Sequence, residues 1–257
     1  MGLRSDLREV VVTELKFLAF RSVRPDMKRL RWHFLALGLA STWFAGLGRY
    51  WDAPHAQWWQ YAGLGSVVYT LFMAAFLWAL IMPMEPKNWS YLNVLTFVGM
   101  TAPPALLYAI PVESLVEPTI AFQLNNVLLL VVSLWRVGLL WCYLRRSARL
   151  DFVPAFFALA FPLVLILAFL TIRHWQHNVF SGMSGNREEL HREVTDITQL
   201  VISKMGFLSV LLCPLTFLGY AVSIARIGDQ KANAAKLAKR QSTLPDLPLS
   251  PTPDSET

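Results

Sequence analysis

Residues 205–225 read MGFLSVLLCPLTFLGYAVSIA, a run that contains no charged side chain. As a helix, a run of about 20 apolar residues is long enough to cross the hydrocarbon core of a bilayer. The chain holds six such runs, near 32–50, 62–83, 92–112, 121–144, 152–172 and 203–226. Short charged or aromatic connectors join them. The sequence therefore predicts an all-α, polytopic integral membrane helix bundle with about six transmembrane helices.

The composition agrees with a protein that is folded inside a bilayer. Of the 257 residues, 55% are hydrophobic and 16% are charged, whereas soluble domains carry about 25% charged residues. The net charge of +6 does not indicate a nucleic-acid partner, because the basic residues gather at the ends of apolar runs. Both cysteines, Cys142 and Cys213, fall within apolar runs. Neither a disulfide framework nor a cysteine zinc site is expected.

The charges of the connectors predict the orientation of the helices. Basic residues are concentrated before the first run and after the second, fourth and sixth, which fall on one side if six helices alternate. The connectors of the other side also hold acidic residues, among them Glu113, Glu117, Glu188, Glu189, Glu193 and Asp196. Because cytoplasmic connectors carry the excess of lysine and arginine, both termini are predicted to be cytoplasmic. A bacterial inner (plasma) membrane protein fits this pattern best.

Residues 1–31 form a basic leader with an amphipathic helix predicted over 6–23. Helical spacing places Leu7, Val11, Leu15 and Leu18 on one face. The basic residues of this leader are candidates for contact with the membrane surface, above all Arg8, Lys16, Arg21 and Arg24. Two arrangements remain open for the helix. It lies on the anionic cytoplasmic leaflet, or it packs against the cytoplasmic loops of its own chain.

Two further segments lie outside the predicted transmembrane domain of residues 32–226. Residues 187–202 repeat apolar side chains at helical spacing and follow a capping-box pattern, which predicts an amphipathic outer helix that runs directly into the sixth span. Residues 227–257 contain four prolines near their end and few large apolar residues. This composition predicts a disordered cytoplasmic tail.

The third run contains the most unusual stretch, FVGMTAPPALLYAIP at residues 97–111. Pro103 and Pro104 remove backbone donors from a helix. Freed carbonyls at membrane depth need other partners, and broken helices of this kind often surround transport sites. The alternative is a kink with a purely structural role.

Arg136 is the best candidate for a functional charge. It lies about 13 Å inside the cytoplasmic end of the fourth run, at 1.5 Å per helical residue. Asn125 and Asn126 add polarity to the same run. The arginine either binds an anion or a lipid head group, or it extends its side chain toward the cytoplasmic interface.

A weaker pattern lies in the last outer connector. His174, His177 and His191 stand near several acidic residues, so a surface metal site is geometrically feasible. His191 and Asp196 also match the H-x4-D spacing of some acyltransferases. Chance occurrence in an amphipathic connector explains both patterns better, and we expect neither a metal nor a cofactor. The common hydrolase, metalloprotease and phosphate-loop motifs do not occur, which disfavours an enzyme.

Two helices and a polar connector precede a third helix that reads Phe97-Val98-Gly99-Met100-Thr101-Ala102-Pro103-Pro104. This order resembles the Yip-type family of small polytopic membrane proteins over residues 30–145. The resemblance implies five or six spans, a cytoplasmic N-terminus and a membrane-organising or trafficking-associated role without catalysis. The basic leader and the outer helix are not part of the family pattern.

The leading functional hypothesis is a non-enzymatic scaffold, accessory or membrane-organising protein. Its partner is the lipid bilayer, with other proteins or a second copy of the chain as further partners. The alternative is a small transporter or channel subunit in which the broken third helix and Arg136 contact an anionic ligand.

Overall fold

A computed structural model of the chain describes residues 3–22, 29–47, 58, 62–175 and 195–242. Within these ranges, regular structure is helical and strands are absent. The described ranges contain eight α-helices: α1 (Leu3–Leu18), α2 (Arg31–Leu47), α3 (Leu64–Ile81), α4 (Tyr91–Met100), α5 (Val112–Leu115), α6 (Pro118–Arg146), α7 (Phe152–Ile172) and α8 (Thr195–Ser242). Two 3-10 turns, Met82–Met84 and Pro103–Ala109, follow α3 and α4.

Among the described residues, four helices are long and apolar enough to cross a membrane: α3 with its 3-10 turn, α6, α7 and α8. They correspond to the second, fourth, fifth and sixth predicted runs, which are confirmed as long apolar helices. The first run forms α2, a helix of 17 residues, which is shorter than the roughly 20 that span the hydrocarbon core. Residues 48–50 of that run lie outside the described ranges.

The helices α7 and α8 form an antiparallel pair. Gly206 on α8 lies against Thr171 near the end of α7, and Gly219 lies against Phe157 near its start. The ring of Phe161 packs on the rings of Phe217 and Tyr220, with centroids 5.6 and 4.9 Å apart. Small residues on α8 thus admit the large side chains of α7, and aromatic packing fills the remaining space.

The helices α2 and α4 run parallel to each other. At their starts, Arg31 donates from Nη2 to the side-chain oxygen of Asn93 at 2.9 Å. Further along, Gly38 approaches Gly99 so closely that an added Cβ on Gly38 would lie 2.5 Å from the Gly99 backbone. Beyond this crossing, α2 packs against the 3-10 turn of residues 103–109. The third run therefore follows α2 along its length although it is not one continuous helix.

The third run differs from an unbroken helix over 92–112 because of its prolines. Carbonyls of Gly99 and Met100 would need amide donors at positions 103 and 104 for an α-helix to continue, and proline has none. The chain tightens instead, with the Ala102 amide donating to the Gly99 carbonyl at 2.9 Å. Residues 94–100 are all buried, so α4 is the central helix of the bundle.

Contacts gather several segments at one end of the bundle. The Lys87 amide donates to the Ala148 carbonyl at 2.9 Å, which joins the connector after α3 to the connector after α6. The Tyr220 hydroxyl of α8 donates to the Leu80 carbonyl of α3. Lys231 pairs with Glu85 beyond it. The connectors that the sequence predicts to be cytoplasmic are therefore neighbours in space.

The helix α1 ends at Leu18, earlier than the predicted limit at residue 23. Phe20 adopts a left-handed φ of 58°, and the Arg21 amide donates to the Lys16 carbonyl at 2.9 Å. This pattern is a Schellman C-cap with a bulky residue where glycine is usual. Arg146 donates to the Phe20 carbonyl at 2.7 Å, and the Phe20 ring lies over Gly138. Contacts with α6 thus stabilise an otherwise unfavourable backbone conformation.

The structure also corrects the predicted tail. The helix α8 continues to Ser242, whereas the composition predicts disorder from residue 227. Residues 228–242 contain several alanines and lysines that favour helix, and they extend an existing helix, so no new nucleus is required. Residues 243–257 lie outside the described ranges. At the other end, α8 begins at Thr195 and continues without interruption through residues 195–202 into the sixth run. Residues 187–194 are not described.

Candidate functional site

The sequence marks two features as unusual, the proline-broken third run and Arg136. These two features meet at the break after α4. Thr101 follows the last residue of α4 and is only 3% exposed. Its hydroxyl donates to the Val98 carbonyl at 2.7 Å. Arg136 of α6 directs its guanidinium to this point, where Nε donates to the Thr101 hydroxyl oxygen at 3.4 Å. A guanidinium group therefore lies at the proline-broken segment, on the side of α6 that faces α4.

The prolines shape the backbone of this site. Pro103 is half-buried and Pro104 is buried, and together they begin the 3-10 turn that follows Thr101. An uninterrupted helix would carry residue 101 inside its hydrogen-bonded ladder. The break places the Thr101 hydroxyl at the end of α4, where the side chain of Arg136 reaches it.

Asn125 and Asn126 belong to α6 but not to this site. They precede Arg136 by about 16 Å along the helix axis, at 1.5 Å per residue. Both side chains are half-buried. The structure thus unites Arg136 with the broken segment and leaves the two asparagines toward the opposite end of α6.

The outward surface of α1 is a second candidate region. Leu7, Val11 and Leu15 are 48%, 48% and 61% exposed, so the apolar stripe that the sequence predicts is turned away from the rest of the described chain. Arg8 and Lys16 belong to the same helix, Arg8 with its side chain exposed. Arg21 is exposed just after the helix, and Arg24 lies outside the described residues.

The opposite surface of α1 packs on the bundle. Val10 is 2% exposed and belongs to a cluster with Leu30, Phe34 and Met100. Further along, Phe17 meets Phe97 of α4 edge to face, with centroids 6.0 Å apart. These contacts show that α1 packs against its own chain, but on helices α2 and α4 and not on the cytoplasmic loops that the sequence analysis considered.

Polar contacts fix both ends of α1. Arg29, which precedes α2, pairs with Asp6 at 3.8 Å and also with Glu9. Near the other end, the indole of Trp135 on α6 donates to the Leu18 carbonyl at 2.9 Å. The helix therefore lies across the bundle from the start of α2 to α6.

Glu14 is a residue that the sequence did not single out. It occupies the packed surface of α1 between Val10 and Phe17 and is 4% exposed. Within the described part of the chain, neither carboxylate oxygen has a hydrogen-bond partner, and no ion pair includes Glu14. Burial raises the pKa of the Glu14 carboxyl to about 8. Glu14 follows Val10 by four residues and precedes Phe17 by three, so helical spacing places all three on one face. From the sequence, importance was instead assigned to the more apolar face of the helix.

The predicted histidine pattern is not brought together in the described residues. His174 adopts a left-handed φ of 54° after α7, and the amide of Trp175 closes the cap on the Leu170 carbonyl at 2.8 Å. His177 and His191 lie outside the described ranges. Among the residues that are described, no group of three or more metal-ligating side chains is present.

Comparisons with protein-family models, with curated proteins and with solved structures find no match to this chain. Arguments about its function therefore rest on the chemistry of its own residues.

Proposed function

We propose that the chain is a six-span protein of the bacterial inner membrane with both termini in the cytoplasm. Four apolar helices expose large side chains over much of their length, among them Phe72, Leu134, Phe169, Leu211 and Leu215, which suits lipid as solvent. In this arrangement α2 and residues 91–109 are the first and third spans. Their parallel direction and the grouping of the basic connectors at one end support the assignment.

Reporter fusions test this topology. A fluorescent protein fused at Thr257 should fold in the cytoplasm, and alkaline phosphatase inserted into the connector between α7 and α8 should be active outside it. An active phosphatase at Thr257 would contradict the proposed orientation.

For function, we propose a non-enzymatic membrane-organising or scaffold protein that acts through contacts with lipid and with other proteins. The observation that carries this proposal is that the two surfaces of α1 have different surroundings. One surface is held on the bundle through Val10 and Phe17, while Leu7, Val11 and Leu15 face outward. Basic side chains on the same helix favour an anionic leaflet. An amphipathic helix in this position lies in the interface plane, with its exposed apolar side among the acyl chains.

Spin labels on full-length protein in vesicles test the lipid contact. In a background with Cys142→Ala and Cys213→Ala, single cysteines replace Leu15 on the outward stripe and Glu9 on the polar side. With vesicles that contain phosphatidylglycerol, oxygen should relax the label at position 15 strongly, and a water-soluble nickel complex should relax the label at position 9. Equal nickel accessibility at both positions would contradict the proposal.

A cellular experiment separates α1 from the intramembrane site. In a strain without its own copy, a chain that lacks residues 1–24 should fail to restore the deletion phenotype. Arg136→Ala and Pro104→Ala should restore it. The reverse result would favour transport over a scaffold role.

A second candidate function is that of a small transporter or channel subunit with an anionic ligand. The contact between Arg136 and Thr101 at the helix break favours it, because a charge at this depth is costly unless it is partnered. Radiolabelled phosphate and chloride serve as probes in proteoliposomes. Flux of either anion that Arg136→Ala abolishes would establish transport, and absence of flux for both anions would leave the scaffold proposal as the better account.

A further inference from the structure

We propose that Glu14 is a proton-binding site and that its protonation holds α1 in the groove formed by α2, α4 and α6. The inference concerns contacts of α1 with its own chain, so it does not depend on the lipid contact proposed for the opposite surface of the helix.

Neighbouring contacts place the carboxyl inside the interface. One turn before it, Val10 packs with Leu30 and Phe34 of the α2 region. Three residues after it, Phe17 packs on Phe97 of α4. The Leu18 carbonyl then accepts from Trp135 of α6. Glu14 lies on the same surface of α1, between contacts to three other helices, and the side chain is excluded from solvent.

The chemistry of the site favours the neutral acid. An ionised carboxylate without hydrogen bonds in apolar surroundings is strongly destabilised, whereas the protonated form carries no net charge. Both oxygens of Glu14 lack hydrogen-bond partners among the described residues. The raised pKa of the carboxyl, about 8 in place of 4.5, has burial as its cause. Docking of α1 is therefore accompanied by uptake of a proton in the pH range between these two values.

The arginines on the surrounding elements each have another contact. Just before α2, Arg29 pairs with Asp6 and Glu9. Within α2, Arg31 donates to Asn93. His33 of the same helix has a buried Nδ1 that forms no hydrogen bond within the described residues. From α6, Arg136 donates to Thr101 and Arg146 donates to the Phe20 carbonyl, and Tyr143 stacks on Phe97. Residues 91–100 of α4 contribute Tyr91 alone. Among the described residues, none of these groups forms an ion pair with Glu14.

The direction of the pH effect follows from linkage. Released α1 would carry Glu14 in water with its ordinary pKa of 4.5, and docked α1 carries it with a pKa of about 8. Above both values and below both values the docking equilibrium does not change with pH. Between them, each unit of rising pH lowers the ratio of docked to released α1 by up to about tenfold. Acidification of the compartment that α1 faces therefore strengthens docking.

Distance measurements on the full chain test the proposal. Spin labels at Val12→Cys on α1 and Ser147→Cys after α6, in a background without Cys142 and Cys213, report docked and released populations in nanodiscs between pH 5 and 8. Glu9→Gln is added to every sample, because loss of a partner for Arg29 weakens docking and brings both populations into the measurable range.

The expected result is a docked fraction that falls as pH rises, and a flat, fully docked profile after Glu14→Gln. Infrared difference spectra add a direct measurement, since the carbonyl band of a protonated carboxylic acid should persist near neutral pH and be absent from Glu14→Gln. Identical pH profiles with and without the Glu14→Gln substitution, or a band that disappears near pH 4.5, would overturn the proposal. Spin-label contact of position 15 with lipid is measured separately, so failure here leaves the lipid proposal intact.

Discussion

Proline and glycine have different structural effects in two regions of the bundle. In the α7–α8 pair, Pro162 and Pro214 lie inside continuous helices, and Gly219 faces the ring of Phe157. Beside α2, tandem prolines end α4, and Gly38 faces the backbone of Gly99. One missing donor is tolerated within a long helix, whereas two successive missing donors end it.

Burial explains why the broken region holds together. The helix α4 is enclosed by its neighbours over residues 94–100, while α7 and α8 expose large side chains such as Phe169 and Leu215. A central helix is fixed by packing on all sides. A peripheral pair has only one packed side, so its stability depends on the regularity of its own hydrogen bonds. Substitutions in the two regions, in order of expected effect, test this difference.

The largest effect is expected at the α2–α4 crossing. In Gly38→Ala the new methyl group would lie 2.5 Å from the Gly99 backbone, which cannot move without separating the helices. We expect a loss of about 3 kcal/mol in the free energy of unfolding, measured by denaturant titration in detergent micelles.

Two matched variants sharpen this first test. Gly99→Ala places a methyl group 3.5 Å from Gly38, an ordinary contact, and should cost less than about 1 kcal/mol. In Gly219→Ala the new methyl group would meet the Phe157 ring, which can rotate. The loss in the free energy of unfolding should therefore lie between those of Gly38→Ala and Gly99→Ala. Equal effects for Gly38→Ala and Gly219→Ala would contradict the distinction between backbone and side-chain contacts.

A smaller effect is expected at the break itself. Thr101→Val removes the hydroxyl that accepts from Arg136 and donates to Val98, so a half-buried guanidinium loses a partner. We expect about 1–2 kcal/mol of destabilisation. Thr216→Val in α8 is the control, because its hydroxyl donates only within its own helix, to the Leu212 and Cys213 carbonyls. A larger loss in the free energy of unfolding for Thr216→Val than for Thr101→Val would contradict the greater importance assigned to the Thr101 hydroxyl.

Next in size is the contact between α8 and α3. Tyr220→Phe removes the hydroxyl that donates to the Leu80 carbonyl but keeps the ring that packs on Phe161. We expect a loss of about 1 kcal/mol, the usual net value of such a hydrogen bond. Thermal unfolding in detergent measures it, and an unchanged transition temperature would show that the hydroxyl is satisfied equally well without Leu80.

The smallest effect is expected beyond the packed bundle. Lys231→Ala breaks the pair with Glu85, in which both side chains are exposed to solvent, so the loss should be below about 0.5 kcal/mol and should vanish in high salt. Comparison of the unfolding free energy at low and high salt checks this. A salt-independent loss above about 1 kcal/mol would exceed the range of exposed ion pairs and would indicate that the extension of α8 contributes to the fold by packing.

Prediction from the sequence reached the helices but not their contacts. Runs such as 152–172 reappear with the same limits, since an uncharged apolar run of that length has few alternatives. The prediction of disorder was wrong for residues 228–242, because alanine and lysine continue a helix once it exists. For the site, Arg136 and the prolines were recognised separately. Their meeting at Thr101, and the burial of Glu14, required knowledge of which helix faces which.

Apolar length and connector charge are properties of single segments, so the residues alone predicted the all-helical class, the four long apolar helices of the described ranges and the candidate residues in the third and fourth runs. Packing in three dimensions was needed to show which surface of α1 faces inward, that α2 and α4 lie parallel at a glycine crossing, and that a guanidinium lies at the break after α4. Helical periodicity gives each helix several faces of similar hydrophobicity, and only packing against particular neighbours selects among them.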